Sequence, residues 1–258
     1  MLVLTLYLNE VALARTFNGT SDKVVFGKGV TYDNCGPYTA LCLVRPTANI
    51  VDERQIFDKM DSSYIGTMFL AASGNGTNNN ILFSLIGGTV ALYSESVAST
   101  LVVNSWNVCV CTFNALRNSP GTELIKLYTC VIGGTLTEVS YTSQTTGSSL
   151  NSDVAADLTL ASRDPGDATF FAGGLSDCAL WNRVLNSTEL NMLGKGYSPL
   201  WIPSGLIMYS PVFGLQSPEP DLMGGTSGTV TGTSLLTHPP VIYSLDAEEQ
   251  DYTTTVYV

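Results

Sequence analysis

The chain has 258 residues, 45% hydrophobic and only 13% charged, with 22 acidic against 11 basic side chains for a net charge of −11. That balance argues against nucleic acid and against an anionic membrane surface, because no stretch gathers the Lys and Arg that bind phosphate groups. No apolar run approaches the ~20 residues of a membrane-spanning helix, and the length suits one large β-sandwich with an appendage.

Residues 1–13 open with Met1-Leu-Val-Leu-Thr-Leu-Tyr-Leu8. The stretch lacks the positive start of a signal peptide, and Leu2, Leu4, Leu6 and Leu8 recur at period two, so it reads as a strand or docking arm. Apolar segments then recur between Gly, Asn, Ser, Asp and Pro clusters, at 66–73, 80–87, 89–96 and 123–134. Short strands at this spacing predict a sandwich or barrel. Trp106 to Phe113 is apolar at both alternations, which predicts a central strand covered by the opposite sheet on one face and by a loop on the other.

One helix is predicted, over 187–193. Asn186 caps it, Glu189 reaches back to the cap, Leu185 and Leu190 form a staple, and Gly194 ends it. From Gly196 onward the texture is Ser, Pro and Gly with isolated aromatics, and prolines at 199, 203, 211, 218, 220, 239 and 240 exclude regular central strands through much of it. Residues 244–258 are β-prone, suited either to pairing or to a partner.

The residues that carry chemistry are few. His238, the one histidine, sits in Thr-His-Pro-Pro and reads as a turn residue; a Ser-His-Asp or Cys-His arrangement would have to use it. Glutamates 10, 53, 95, 123, 138, 189 and 219 are isolated, without the paired carboxylates that glycoside hydrolysis needs. Of the six cysteines, Cys42, Cys109, Cys111, Cys130 and Cys178 lie in apolar strand-like runs and read as buried free thiols of a protein made in a reducing compartment, while Cys35 lies near a turn. Cys109 and Cys111 share a strand face, but no further ligand spacing supports zinc. Asn18, Asn75 and Asn186 match the N-glycosylation pattern. Tyr32, Tyr64, Asn75, Asn78, Asn79 and Asn80 are the loop residues suited to carbohydrate, although turns in any β protein share that composition.

The order of segments resembles the laminin-G-like jelly roll of the concanavalin A-like lectin/glucanase superfamily. Phe17-Asn-Gly-Thr-Ser-Asp-Lys-Val24 is similar to its "F-x-G-x-x-D-x-V" strand and Tyr38-Thr-Ala-Leu-Cys-Leu-Val-Arg-Pro46 to "F-T-V-S-x-W-V-R-P". Asn104-Ser-Trp-Asn-Val-Cys-Val110 is similar to "L-N-x-W-H-H-V-A-V", and Leu127-Tyr-Thr-Cys-Val-Ile-Gly133 to "L-Y-V-D-G". The closing stretch, Phe171 through Trp181 to Glu189, resembles "F-x-G-x-I-D-D-V-R-I-Y-N-R-A-L-S-x-x-E-I". Residues 196–240 resemble an extension found on laminin-G-like proteins of tailed bacteriophages.

The resemblance implies an all-β, two-sheet antiparallel jelly-roll sandwich over 14–195, with one short helix. Residues 1–13 would form an arm, and the Pro/Gly-rich extension 196–258 would pack on the sandwich or on a neighbouring subunit. It implies a non-enzymatic virion protein, on capsid or tail, whose partners are other virion subunits, further copies of itself or a cell-surface glycan. The alternative is a secreted lectin, and a glycoside hydrolase would need a carboxylate pair that is not found. No cofactor is required. Calcium is the ion the resemblance admits, at Asp58 with Asp61 and at Asp164 with Asp167, positions for which ordinary turn chemistry is the stronger explanation.

Overall fold

The computed structural model describes residues 13–28, 33–34, 36–50, 52–61, 66–70, 79–87, 90–116, 120–147, 151–163, 169–214 and 217–243. In chain order the strands are β1 (Leu13–Asn18), β2 (Lys23–Gly27), β3 (Tyr38–Pro46), β4 (Gln55–Met60), β5 (Gly66–Leu70), β6 (Leu82–Gly87), β7 (Val90–Ser96) and β8 (Asn107–Phe113). They continue as β9 (Lys126–Val131), β10 (Thr137–Glu138), β11 (Tyr141–Gln144), β12 (Leu158–Leu160) and β13 (Ala172–Trp181). Helix α1 (Ser187–Gly194) follows, then β14 (Leu206–Ser210), β15 (Thr229–Thr231) and β16 (Ser234–Thr237).

The strands form two antiparallel sheets. The first runs β10-β9-β8-β3-β13-β1-β16, with β14 also on β13, and the second runs β11-β7-β6-β5-β4-β12-β2-β15. Period-two alternation sets the inner faces: Val24 and Phe26 of β2, Phe83 and Leu85 of β6, and Cys109, Cys111 and Phe113 of β8 meet in the main core. The predicted all-β sandwich is therefore the fold. Residues 1–12 and 244–258, the proposed arm and tail, lie outside the described residues.

β8 is buried along its whole length, as its two-sided apolar pattern predicts. Its outer residues Val108 and Val110 join Leu41, Leu43, Ala179 and Trp181 in a second core, covered by Leu190 and Leu193 of α1 and by Ile202 and Leu206. The cover is thus a helix and the segment after it, not a loop alone. Trp181 is anchored there by donating Nε1–H to the Ile202 carbonyl at 2.8 Å. Gly174 of β13 is small for a steric reason, since a Cβ there would lie 2.9 Å from the Trp106 ring and 2.6 Å from a Leu236 methyl carbon.

Helix α1 carries the expected capping box. Asn186 Oδ1 accepts from the Thr188 and Glu189 amides, and Glu189 Oε2 accepts from the Asn186 amide at 2.8 Å. Glu189 also forms a two-pronged pair with Arg183, at 2.8 and 2.6 Å. The hydrogen bond from Arg183 holds the Glu189 carboxyl below its ordinary range. The end differs from expectation: Gly194 is the last helical residue, Lys195 is the C-cap, and the left-handed turn falls at Gly196, with φ +89°. Gly194 closes on Leu136, where a Cβ would meet the Leu136 amide nitrogen at 2.9 Å, so its smallness serves packing.

The Pro-rich stretch after Gly196 contributes a strand to the end of each sheet: β16 pairs with β1, and β15 pairs with β2. β14 pairs with the C-terminal half of β13. Replacing Asn186 with Ala removes the cap acceptor and is expected to cost about 1 kcal/mol in urea unfolding; an unchanged midpoint would contradict the capping role.

Candidate functional site

The one histidine is not in an open turn. His238 is 7% exposed, and its Nε2 lies 2.7 Å from Ser176 Oγ and 3.2 Å from Asp177 Oδ2, while its Nδ1 faces the Pro239 carbonyl at 2.8 Å. Reading His238 as a turn residue is therefore corrected. A serine, a histidine and an aspartate do meet, but not as a hydrolytic triad, in which serine and carboxylate use opposite ring nitrogens. Here both face Nε2. Ser176 Oγ itself donates to Asp177 Oδ2 or to the Pro211 carbonyl and is fully buried, so no substrate carbonyl can reach it.

The cluster is built by an irregularity in β13. Ser176 pairs with Leu43 of β3 and Ala179 with Leu41, so β13 carries one extra residue, a β-bulge. Asp177, in that bulge, has φ +48°. Its Oδ1 accepts from the Tyr209 hydroxyl at 2.6 Å and the Tyr243 hydroxyl at 3.2 Å. Burial, followed by the Asp177 charge, raises both tyrosines well above their ordinary range, which keeps them as donors.

For His238, burial pushes the pKa down, but the hydrogen bond and charge of Asp177, aided by the Pro239 and Pro211 carbonyls, outweigh it and leave the value raised above 6.5. The neighbouring Asp177 carboxylate thus favours the protonated form of the imidazole.

The other residues singled out by sequence fall as follows. Asp58 is buried on β4, where Oδ1 accepts from the Met60 amide at 2.9 Å; Asp61 lies just beyond the strand end, partly buried. Asp164 and Asp167 lie outside the described residues, as do Tyr32, Tyr64, Asn75, Asn78 and Cys35. Among the described residues no group of three His, Cys, Asp or Glu is placed to hold a metal ion.

Asn79 and Asn80 are buried within the fold: Asn79 accepts from the Ile50 amide and donates to Asn49, and Asn80 donates to Glu95. They are not free for a glycan. Asn18 Oδ1 accepts from the amides of Thr20, Ser21 and Asp22, so this pattern residue organises its own turn.

The five described cysteines are free; Cys130 is partly exposed and the rest are buried. Burial raises the thiols of Cys42 and Cys111 and brings Cys109 to about 12, which suppresses thiolate chemistry. Cys42 and Cys178 lie side by side, with sulfurs 3.1 Å apart. Four glutamates are engaged separately: Glu219 with Arg15, Glu189 with Arg183, Glu138 with Lys126 and Tyr141, and Glu95 with Asn80.

A two-sheet antiparallel sandwich with a capped helix over one outer face is the class these features define. A family model of the laminin G type, in the concanavalin A-like lectin/glucanases superfamily, matches residues 18–191, and the chain belongs to that family. No curated protein matches. Among solved structures, the chain is similar to a protein of Bacteroides ovatus assigned as carbohydrate binding, with 15% identity and a TM-score of 0.56 over 90% of this chain and 62% of that one. The chain thus spans under two thirds of that protein. It is also similar to a heptameric SAP-like pentraxin of Limulus polyphemus (10% identity, TM-score 0.42, 85% and 95% of the two chains). A third is the enzymatically active domain of tailspike protein 2 of bacteriophage CBA120 (10% identity, TM-score 0.44, 78% and 34%). At such identities the likeness to the first is one of fold.

The raised His238 value fixes the sign of a pH effect. Its stabilisation is fully present below the unfolded value, about 6.5, and is lost as pH rises through the higher folded value. Urea unfolding should therefore show stability falling on the alkaline side of 6.5 in the wild type but not in His238→Gln. The single histidine gives one imidazole NMR signal, whose midpoint should lie above that of an unfolded peptide; a midpoint below it would refute the ion pair.

Proposed function

We propose that the chain is a non-enzymatic binding and structural module of a bacteriophage particle, seated on capsid or tail subunits and presenting its loop rim to a carbohydrate. The observation that carries the non-enzymatic reading is the state of its only histidine, which is buried with Ser176 and Asp177 on the same ring nitrogen and wired to two tyrosines. The separate engagement of Glu95, Glu138, Glu189 and Glu219 supports it, because a hydrolase needs two carboxylates flanking one glycosidic bond.

The phage setting is supported by the resemblance of residues 196–240 to the extension of tailed-phage proteins. Free, buried thiols agree with assembly in a reducing cytoplasm. The carbohydrate reading is supported by the family and by the assignment of the Bacteroides ovatus protein.

Mass spectrometry of purified phage particles, with thiol counting, tests this reading. The expected result is the chain at fixed stoichiometry to the major shell or tail protein, with all six cysteines of the sequence as free thiols. Recovery free in the medium, disulfide-bonded or glycosylated, would replace the reading with a secreted lectin. Release of reducing sugar from any bound glycan would overturn the non-enzymatic part.

A further inference from the structure

Two of the described thiols meet. Cys42 of β3 and Cys178 of β13 lie on neighbouring strands of the first sheet, both buried in the main core, with their sulfurs 3.1 Å apart. The bulge brings them together. Leu175 faces the main core, and strict alternation from it would turn Asp177 inward and Cys178 outward. The extra residue reverses the phase, so Cys178 and Leu180 face the main core while Ala179 and Trp181 face the second. Cys42 faces the main core as well, and it also stands opposite Cys109 of β8.

A disulfide needs its sulfurs at about 2.05 Å, roughly 1 Å closer than these stand, a shift that small side-chain rotations supply without parting the strands. Burial, followed by the hydrogen bond with Cys178, raises the Cys42 thiol. Cys42 is therefore the proton-bearing partner, the Cys178 sulfur accepts, and oxidation by air is slow. Access decides which oxidant can act. Both cysteines are 0% exposed, so a bulky charged disulfide such as oxidised glutathione cannot line up on either sulfur. Hydrogen peroxide is small and uncharged, and local opening of the strand pair admits it.

We propose that Cys42 and Cys178 are a modification site for peroxide, a latent disulfide across β3 and β13 that stays open as two thiols until hydrogen peroxide reaches it. The Cys178 sulfur attacks one peroxide oxygen and the O–O bond breaks. Cys178 becomes a sulfenic acid, and the other oxygen leaves as water with the Cys178 thiol proton. The Cys42 sulfur then displaces the sulfenic hydroxyl, which takes the Cys42 proton and leaves as a second water. Two thiols have lost two electrons and one peroxide has become two waters. The bond joins positions 136 residues apart, and closing so long a loop constrains the unfolded chain. It also locks β13 beside Asp177, where Tyr209, His238 and Tyr243 converge. The site is a property of the isolated chain and does not rest on the phage reading, since particles that have met no peroxide keep both thiols.

The test uses the full chain, reduced and then freed of reductant, and divided among buffer, millimolar hydrogen peroxide and millimolar oxidised glutathione. Each portion is alkylated under denaturing conditions and mapped by non-reducing peptide mass spectrometry. Peroxide should give a linked Cys42–Cys178 peptide pair and raise the melting temperature by several degrees, and dithiothreitol should reverse both. Buffer and glutathione should leave both cysteines alkylated. Cys178→Ala should lose the peroxide-dependent rise, while Cys111→Ala should keep it. Methionine oxidation is common to all and cancels in the comparison.

The absence of a linked pair after peroxide overturns the proposal and leaves the contact as core packing. A link from Cys42 to Cys109 instead, or closure by glutathione as readily as by peroxide, overturns it too. The peptide map is read on the wild type, so the outcome stands even where a cysteine variant does not fold.

Discussion

The buried Asp177 carboxylate is the constraint on which the arrangement of the first sheet depends. β13 must serve two partners along one edge, β1 at residues 172–175 and β14 at 178–181. Between them the bulge turns Asp177 into the left-handed region and sends its carboxylate into the interior. An unpaired carboxylate there would take up a proton or pull the structure open. Four donors meet it instead, from Tyr209 of β14, from Ser176 beside it, and from His238 and Tyr243. His238 and Tyr243 bracket the last six described residues, so that segment is pinned at both ends.

The same logic recurs twice. Arg15 of β1, 6% exposed, donates to Glu219 and to Thr233 Oγ1, and Glu219 also accepts from the Gly214 amide. Lys59 joins Asp33 and Asp153. Each buried charge connects segments far apart in sequence. Such pairs add little net stability over apolar packing, but removing one partner strands the other, at a cost of about 3–5 kcal/mol. Their contribution is placement. A chain in which only 13% of residues are charged and acids outnumber bases two to one has nonetheless buried Arg15 and Lys59, where each ties together segments far apart in sequence.

What could be read from sequence was what is local. The capping box at Asn186 and Glu189 is a spacing of three residues, and the two-sided burial of β8 is visible in seven consecutive ones. The family resemblance ordered the strands through β13. The Ser176–Asp177–His238 cluster is not legible, because His238 lies 61 residues from Asp177 and 62 from Ser176 and meets them only through a bulge whose positive φ no local pattern announces. The burial of Lys59, between Asp58 and Asp61, is not legible for a related reason: alternation assigns a lysine in a strand to solvent, and only the approach of residues 153 and 156 to the end of β4 makes it internal. Asn79 and Asn80 had the composition of a binding loop, but their amides are taken up within the fold.

The extension after the helix has a physical role that its proline content disguises. Without β15 and β16, the sheets would end at β2 and β1, strands of five and six residues with open hydrogen-bonding edges. Exposed edges of that kind recruit other chains. The extension covers them with strands of three and four residues, and the opposite ends of the sheets close with β10 and β11, of two and four. The four strands that end the two sheet paths are therefore short. Uncontrolled stacking through these edges is thereby suppressed.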